Sequence, residues 1–104
     1  QWGTEADFKA QLDADLQLIT TIAAKNNKLI AMTECGYKNS PDATWWQRVV
    51  KPFMDRYPLL WYLPWRNYSI EHFGASKDAA TADDFALWAK DKHHLFVKDI
   101  QKIK

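Results

Sequence analysis

The sequence has one cysteine, no excess of charge and no long apolar run, and each absence removes a class of function. Cys35 has no partner for an internal disulfide, so cysteine usage assigns no redox compartment. The 14 basic and 13 acidic residues nearly cancel, leaving a net charge of +1, and the Lys and Arg are scattered. A nucleic-acid partner needs a concentrated basic footprint, so none is expected. No apolar stretch approaches the roughly 20 residues of a membrane span, and no basic segment followed by an apolar core opens the chain. Neither a signal peptide nor an anchor is read from it. Internal repeats and low-complexity segments are also missing.

Aromatic side chains, by contrast, are plentiful: six Trp, four Tyr and five Phe. Large rings fill cores by default, and the same flat surfaces stack on sugar faces and on bases. At 104 residues, 47% hydrophobic and 26% charged, the chain is that of an ordinary globular protein of one domain at most.

Thr4 can cap a helix with Asp7 reaching back, and Phe8, Leu12, Leu16, Ile19 and Ala23 recur at helical spacing until Asn26 and Asn27. The run "LIAMT" then reads as a strand buried on both faces, as in a parallel sheet. A second helix is expected from Asp42 to Tyr57, with Pro41 near its start and Pro52 disturbing its later part. "LLWYLPW" is a second apolar strand, with Pro64 near its end, and "NYSIEHFGASKDAA" a loop. Thr81 and Asp84 read as a capping pair for a helix through Trp88, and Phe96, Ile100 and Ile103 mark a last helical stretch.

Helices alternating with strands of this kind are βα units. Two parallel strands do not close a sheet and would leave apolar edges unpaired. The expectation is a piece of a larger β/α domain, whose barrels run to about 250 residues. The alternative is a small domain completed by oligomerisation or strand exchange, which rarely buries enough surface alone.

In such barrels, chemistry sits at the C-terminal ends of strands. The first strand ends in Glu34, followed by Cys35, Gly36 and Tyr37; the second ends in Trp65, Arg66 and Asn67. If the strands are neighbours, a carboxylate, a cation, an amide and two rings share one surface. That set suits a carbohydrate. Glu34 could equally be a salt-bridged strand-end residue paired with Arg66, and Trp65 a core residue. Trp45 and Trp46 either cover a barrel top or staple the helix. His72 reads by default as a solvated loop histidine and the His93-His94 pair lacks convergent ligands, so no metal or other cofactor is expected.

"TECGYKNSPDATWW", "LLWYLPWRN", His72-Phe73 and "TADDF", in this order and spacing, resemble the C-terminal part of glycoside hydrolase family 26, whose best-known members are endo-β-1,4-mannanases. The likeness spans essentially the whole chain. It implies an α/β fold: the C-terminal part of a (β/α)8 TIM barrel, comprising the sixth helix, seventh strand, seventh helix, eighth strand and eighth helix. On its own such a chain is incomplete. Residues 1–104 would then be one fragment of a single glycoside hydrolase catalytic domain.

The resemblance also implies roles. Glu34 matches the nucleophile of a retaining mechanism, which forms a covalent glycosyl-enzyme. Trp65 and Arg66 match residues that shape the subsite of the reacting sugar and contact the next one outward, and Asn67 buttresses that turn. Tyr37 and Trp46 are placed at the cleft rim. His72 matches a loop histidine loosely, because "GASKDAA" replaces the usual Pro-rich continuation, and Pro64 stands where the family has an aliphatic residue. The acid/base glutamate belongs to a fourth strand upstream and matches nothing here, Glu71 included. Gln1-Trp2-Gly3 resembles the end of the family's sixth-strand segment. The implied activity is that of a secreted or periplasmic mannanase, with mannan as substrate and the N-terminal part of the barrel as partner. Other β-glucan or xylan specificity, or a non-catalytic carbohydrate-binding module, are the alternatives.

Overall fold

The computed structural model of the chain describes residues 3–68 and 70–103. Gln1 and Trp2, on which the likeness to a sixth-strand segment largely rests, lie outside them.

Helix α1 spans Glu5–Lys25 and begins with the capping box read from the sequence. The Thr4 backbone N–H donates to Asp7 Oδ2 at 2.9 Å, and the Asp7 N–H donates to Thr4 Oγ1 at 3.2 Å. Two of the donors that a helix start leaves open are thereby satisfied. Asn26 closes the helix, and strand β1, Ile30–Cys35, follows.

The second helical segment starts later than the sequence suggests. Asp42 instead makes a local turn, its Oδ1 accepting the backbone N–H and the hydroxyl of Thr44, both at 2.8 Å. Aspartate favours such turns because its short carboxylate reaches the backbone two residues on. Trp46–Val50 then form a π-helical turn that leads into α2, Lys51–Arg56. In an α-helix the ring of Pro52 would crowd the carbonyl four residues back, and a widened turn directly before it absorbs that conflict.

Strand β2, Leu59–Pro64, lies parallel to β1 in a two-stranded sheet. Helices α3, Ala82–Ala89, and α4, Val97–Gln101, complete the order. The core gathers around the π turn and α2: Trp45, Trp46, Val49, Val50 and Phe53 are buried against Leu16 of α1, Tyr57 and Trp88 of α3. Trp46 packs edge-on against Tyr62 of β2 and Phe85 of α3. Asp84 does not cap its own helix. Its Oδ2 accepts the backbone N–H of Trp46 at 2.7 Å and of Gln47 at 3.0 Å, and Thr81, whose backbone is not extended, makes no side-chain cap.

The sheet is covered on one side only. Ile30 is buried and Met32 and Tyr62 are half-buried, whereas Leu60, Trp61 and Leu63 are 61%, 48% and 47% exposed. A parallel sheet is normally covered on both faces. Here one face of βα units is open.

Candidate active site

Glu34 is the extra residue of a β-bulge. Thr33 pairs with Leu63 and Cys35 with Pro64, so two steps along β1 match one along β2. Alternation from Ile30 and Met32 would turn Glu34 toward the helix-covered side, since side chains repeat with period two. The bulge breaks that parity. Thr33 and Glu34 are both exposed, and Cys35 takes the covered position. The cost is a non-glycine residue with φ +55°, a conformation that costs about 1–3 kcal/mol. Strain held at a strand end, where the bulge re-aims one carboxylate, is a mark of functional sites. Beneath it, the Cys35 thiol donates to the Leu63 carbonyl at 3.6 Å, and burial pushes its pKa up.

The end of β2 lies alongside. The Trp65 N–H donates to the Cys35 carbonyl at 2.7 Å, which extends the ladder past the bulge, and the ring stays 39% exposed. The Arg66 guanidinium carbon is 5.7 Å from the Trp65 ring centroid and 4.9 Å from that of Tyr68. Among the described residues Arg66 makes no ion pair, with Glu34 or any other carboxylate. The salt-bridge reading of Glu34 therefore loses its partner, and both groups present their charge to solvent.

Asn67 holds the following loop. Its Oδ1 accepts the N–H groups of Phe73 and Gly74, each at 3.0 Å, and its Nδ2 donates to the Ala75 carbonyl at 3.4 Å. The loop after β2 is tied in turn to the loop after β1. The Asn39 N–H donates to the His72 carbonyl at 2.6 Å, the His72 N–H donates to Asn39 Oδ1 at 3.1 Å, and Lys38 pairs with Glu71 at 2.5 Å. Gly36, at φ +147°, lets the Phe73 backbone and ring approach, and a Cβ there would lie 3.1 Å from Phe73 Cβ. His72 is half-buried, its Nε2 enclosed without a partner among the described residues. Tyr37 is half-buried with its ring edge-on to Trp45 at 5.0 Å.

Glu34, Trp65, Arg66, Asn67, His72 and Tyr37 thus gather on the C-terminal side of the two strands. Trp46 does not join them. It is 1% exposed and wedged among Tyr62, Phe85 and Trp88, so its placement at a cleft rim is corrected: the ring fills the core. Asn39, bonded to His72, and Tyr68, beside Arg66, lie next to these residues although their sequence context singles out neither. The dipeptide Asn39-Ser40 invites a turn reading, and Tyr68 stands two residues beyond Arg66.

Among the described residues no group of three His, Cys, Asp or Glu could hold a metal ion. His93 Nδ1 lies 2.8 Å from Asp91, and His94 Nδ1 lies 2.6 Å from the Trp88 carbonyl. The surface at the strand ends can do three things: stack flat rings on an apolar ring face, donate hydrogen bonds from Arg66, and offer an exposed carboxylate.

The backbone matches a solved structure, a GH26 β-mannanase from Bacteroides ovatus, BoMan26A, with a TM-score of 0.87 and 32% sequence identity. The match covers 94% of this chain and 29% of that enzyme, so the chain spans less than a third of its length. No protein-family model and no curated protein matches the sequence. The chain has a GH26-like fold: its two parallel strands and their helices correspond to part of a TIM-barrel enzyme.

Proposed function

We propose that this chain forms the C-terminal part of the catalytic barrel of a retaining endo-β-1,4-mannanase, in which Glu34 is the nucleophile. The observation that carries the reading is the bulge: a strained, exposed carboxylate at a strand end, with no cation partner among the described residues, beside Trp65 and Arg66. Such a carboxylate attacks the anomeric carbon and leaves a glycosyl-enzyme that water resolves. Retention needs an acid/base carboxyl about 5–5.5 Å away. Glu71 is engaged by Lys38, so the acid is assigned to the remainder of the barrel.

The open sheet face supports this division of labour. Leu60, Trp61 and Leu63 need apolar cover, and the relative of like fold is more than three times as long. Trp65 and Arg66 bind the reacting sugar and its outward neighbour, Asn67 and His72 fix the loop that walls them, and Tyr37 lies at the rim. Polysaccharides of this size are met outside the cytoplasm, which fits a secreted or periplasmic enzyme. A β-glucan or xylan preference would use the same residues with other subsite walls.

The test is labelling of the whole catalytic domain with a 2-fluoro-mannoside carrying a good leaving group. A covalent adduct on the Glu34 peptide is the expected result, together with a loss of mannan hydrolysis of roughly 10³-fold or more in Glu34→Ala. An adduct on another residue, or full activity of Glu34→Ala, would overturn the assignment.

A further inference from the structure

Arg66 is held by rings rather than by carboxylates. Its guanidinium carbon stands 5.7 Å from the Trp65 centroid and 4.9 Å from that of Tyr68, so the tyrosine is the nearer of the two. A guanidinium stacked on rings keeps its five N–H donors free, whereas one paired with a carboxylate has spent two of them. Tyr68 is itself fixed at the backbone. Its N–H and carbonyl exchange hydrogen bonds with Glu71, both at 2.6 Å. Glu71 then pairs with Lys38 in the loop that follows Glu34. The ring is nonetheless 62% exposed, which is unusual for an aromatic with a backbone so constrained.

We propose that Tyr68 is a positioning residue for Arg66 and a stacking platform for a sugar one unit farther from Glu34 than Trp65 reaches. The proposal rests on the glycan-hydrolase reading above and adds a residue to it. Two properties of the ring are used. Its face attracts the guanidinium and limits where the Arg66 donors point, and its exposed remainder offers flat apolar surface to a glycan. Neither needs the hydroxyl.

The experiment compares the wild-type catalytic domain with Tyr68→Ala, Tyr68→Phe, Arg66→Ala and the double alanine variant, on two β-1,4-manno-oligosaccharides that differ by one sugar at the end remote from cleavage. Tyr68→Ala should raise KM for the longer substrate roughly 3- to 10-fold, with kcat within about twofold because the ring touches no reacting atom. Tyr68→Phe should keep the wild-type KM. Adding Tyr68→Ala to Arg66→Ala should cost less than Tyr68→Ala does alone, since the positioning part is already lost.

Equal KM values for Tyr68→Ala and wild type, or fully multiplicative effects in the double variant, would overturn the proposal. The position of Arg66 is read independently of activity from its Nε–H resonance, which two nearby rings shift upfield and which Tyr68→Ala should move back. A resonance that stays put overturns the positioning role even in an active enzyme. A domain that cleaves no β-glycan while this resonance moves would sink the hydrolase reading and the platform, leaving the Tyr68–Arg66 relationship standing.

Discussion

Asp84 and Trp46 are 38 residues apart in sequence and joined by one hydrogen bond of 2.7 Å, from the Trp46 backbone N–H to the Asp84 carboxylate. Asp84 is buried, and its carboxylate satisfies two N–H groups, those of Trp46 and Gln47, at the start of a buried helical segment. Asp84→Ala would leave both without an acceptor inside the core, at a cost of about 2–3 kcal/mol. A denaturant midpoint lowered accordingly, and largely restored in Asp84→Asn, is expected. A midpoint unchanged in Asp84→Ala would show that water replaces the carboxylate without penalty.

That residue also marks how far the sequence could be read. Patterns local in the chain were legible: the Thr4–Asp7 capping box, the helical spacing of Phe8 to Ala23, and two apolar strands of parallel-sheet character. Thr81 and Asp84 have the same spacing as Thr4 and Asp7, yet Thr81 has φ −90° and ψ 6° where Thr4 is extended, and the carboxylate turns to another helix. A spacing rule cannot see a partner brought in by tertiary packing. The same holds for Trp46, whose ring alone does not tell core from cleft, and for the bulge, since nothing in "MTEC" announces one extra residue. Tyr68 became visible only through its distance to Arg66.

Gly36 suits its position for a reason that can be measured. At φ +147° a side chain is strained, and its Cβ would meet Phe73 Cβ at 3.1 Å and the Phe73 carbonyl at 3.3 Å. Gly36→Ala should lower stability by about 1–3 kcal/mol and push the 72–74 loop off the β1 loop. Both the unfolding midpoint and turnover should fall. Wild-type values in both would mean that Phe73 yields freely.

Acid should weaken the fold in a defined window. The Asp91 carboxyl is held well below its ordinary 3.8, first by the His93 backbone N–H and then by Lys51. Glu5 is lowered by its hydrogen bond from Arg48, and Asp42 first by the Thr44 backbone N–H and then by Arg48. A carboxylate whose folded pKa is depressed adds stability that is complete above its unfolded value and is lost as pH falls through the folded one. Stability should therefore be level above pH ~5 and decline below pH ~4, with a shallower decline in Asp91→Asn. An identical acid profile in that variant would remove Asp91 from the account.

The open sheet face predicts behaviour of the chain in isolation. With Leu60, Trp61 and Leu63 exposed on β2 of a sheet only two strands wide, the 104-residue chain alone should self-associate. Sedimentation should find oligomers that Leu63→Lys shifts toward monomer. The same substitution should block productive assembly with the rest of the barrel. A monomeric wild-type chain at micromolar concentration would contradict the reading.

Asn39 on His72 and Lys38 on Glu71 bridge two loops that are far apart in sequence, and Asn67 on Phe73 and Gly74 braces the second loop from within. No one of these ties can release either loop while the others hold, so the two loops loosen in a single event. Local opening proceeds in cooperative units of this kind. The floor beside Glu34 therefore keeps one clock: the amide hydrogens of Asn39, His72, Phe73 and Gly74 leave together, and the slowest tie sets the rate for all.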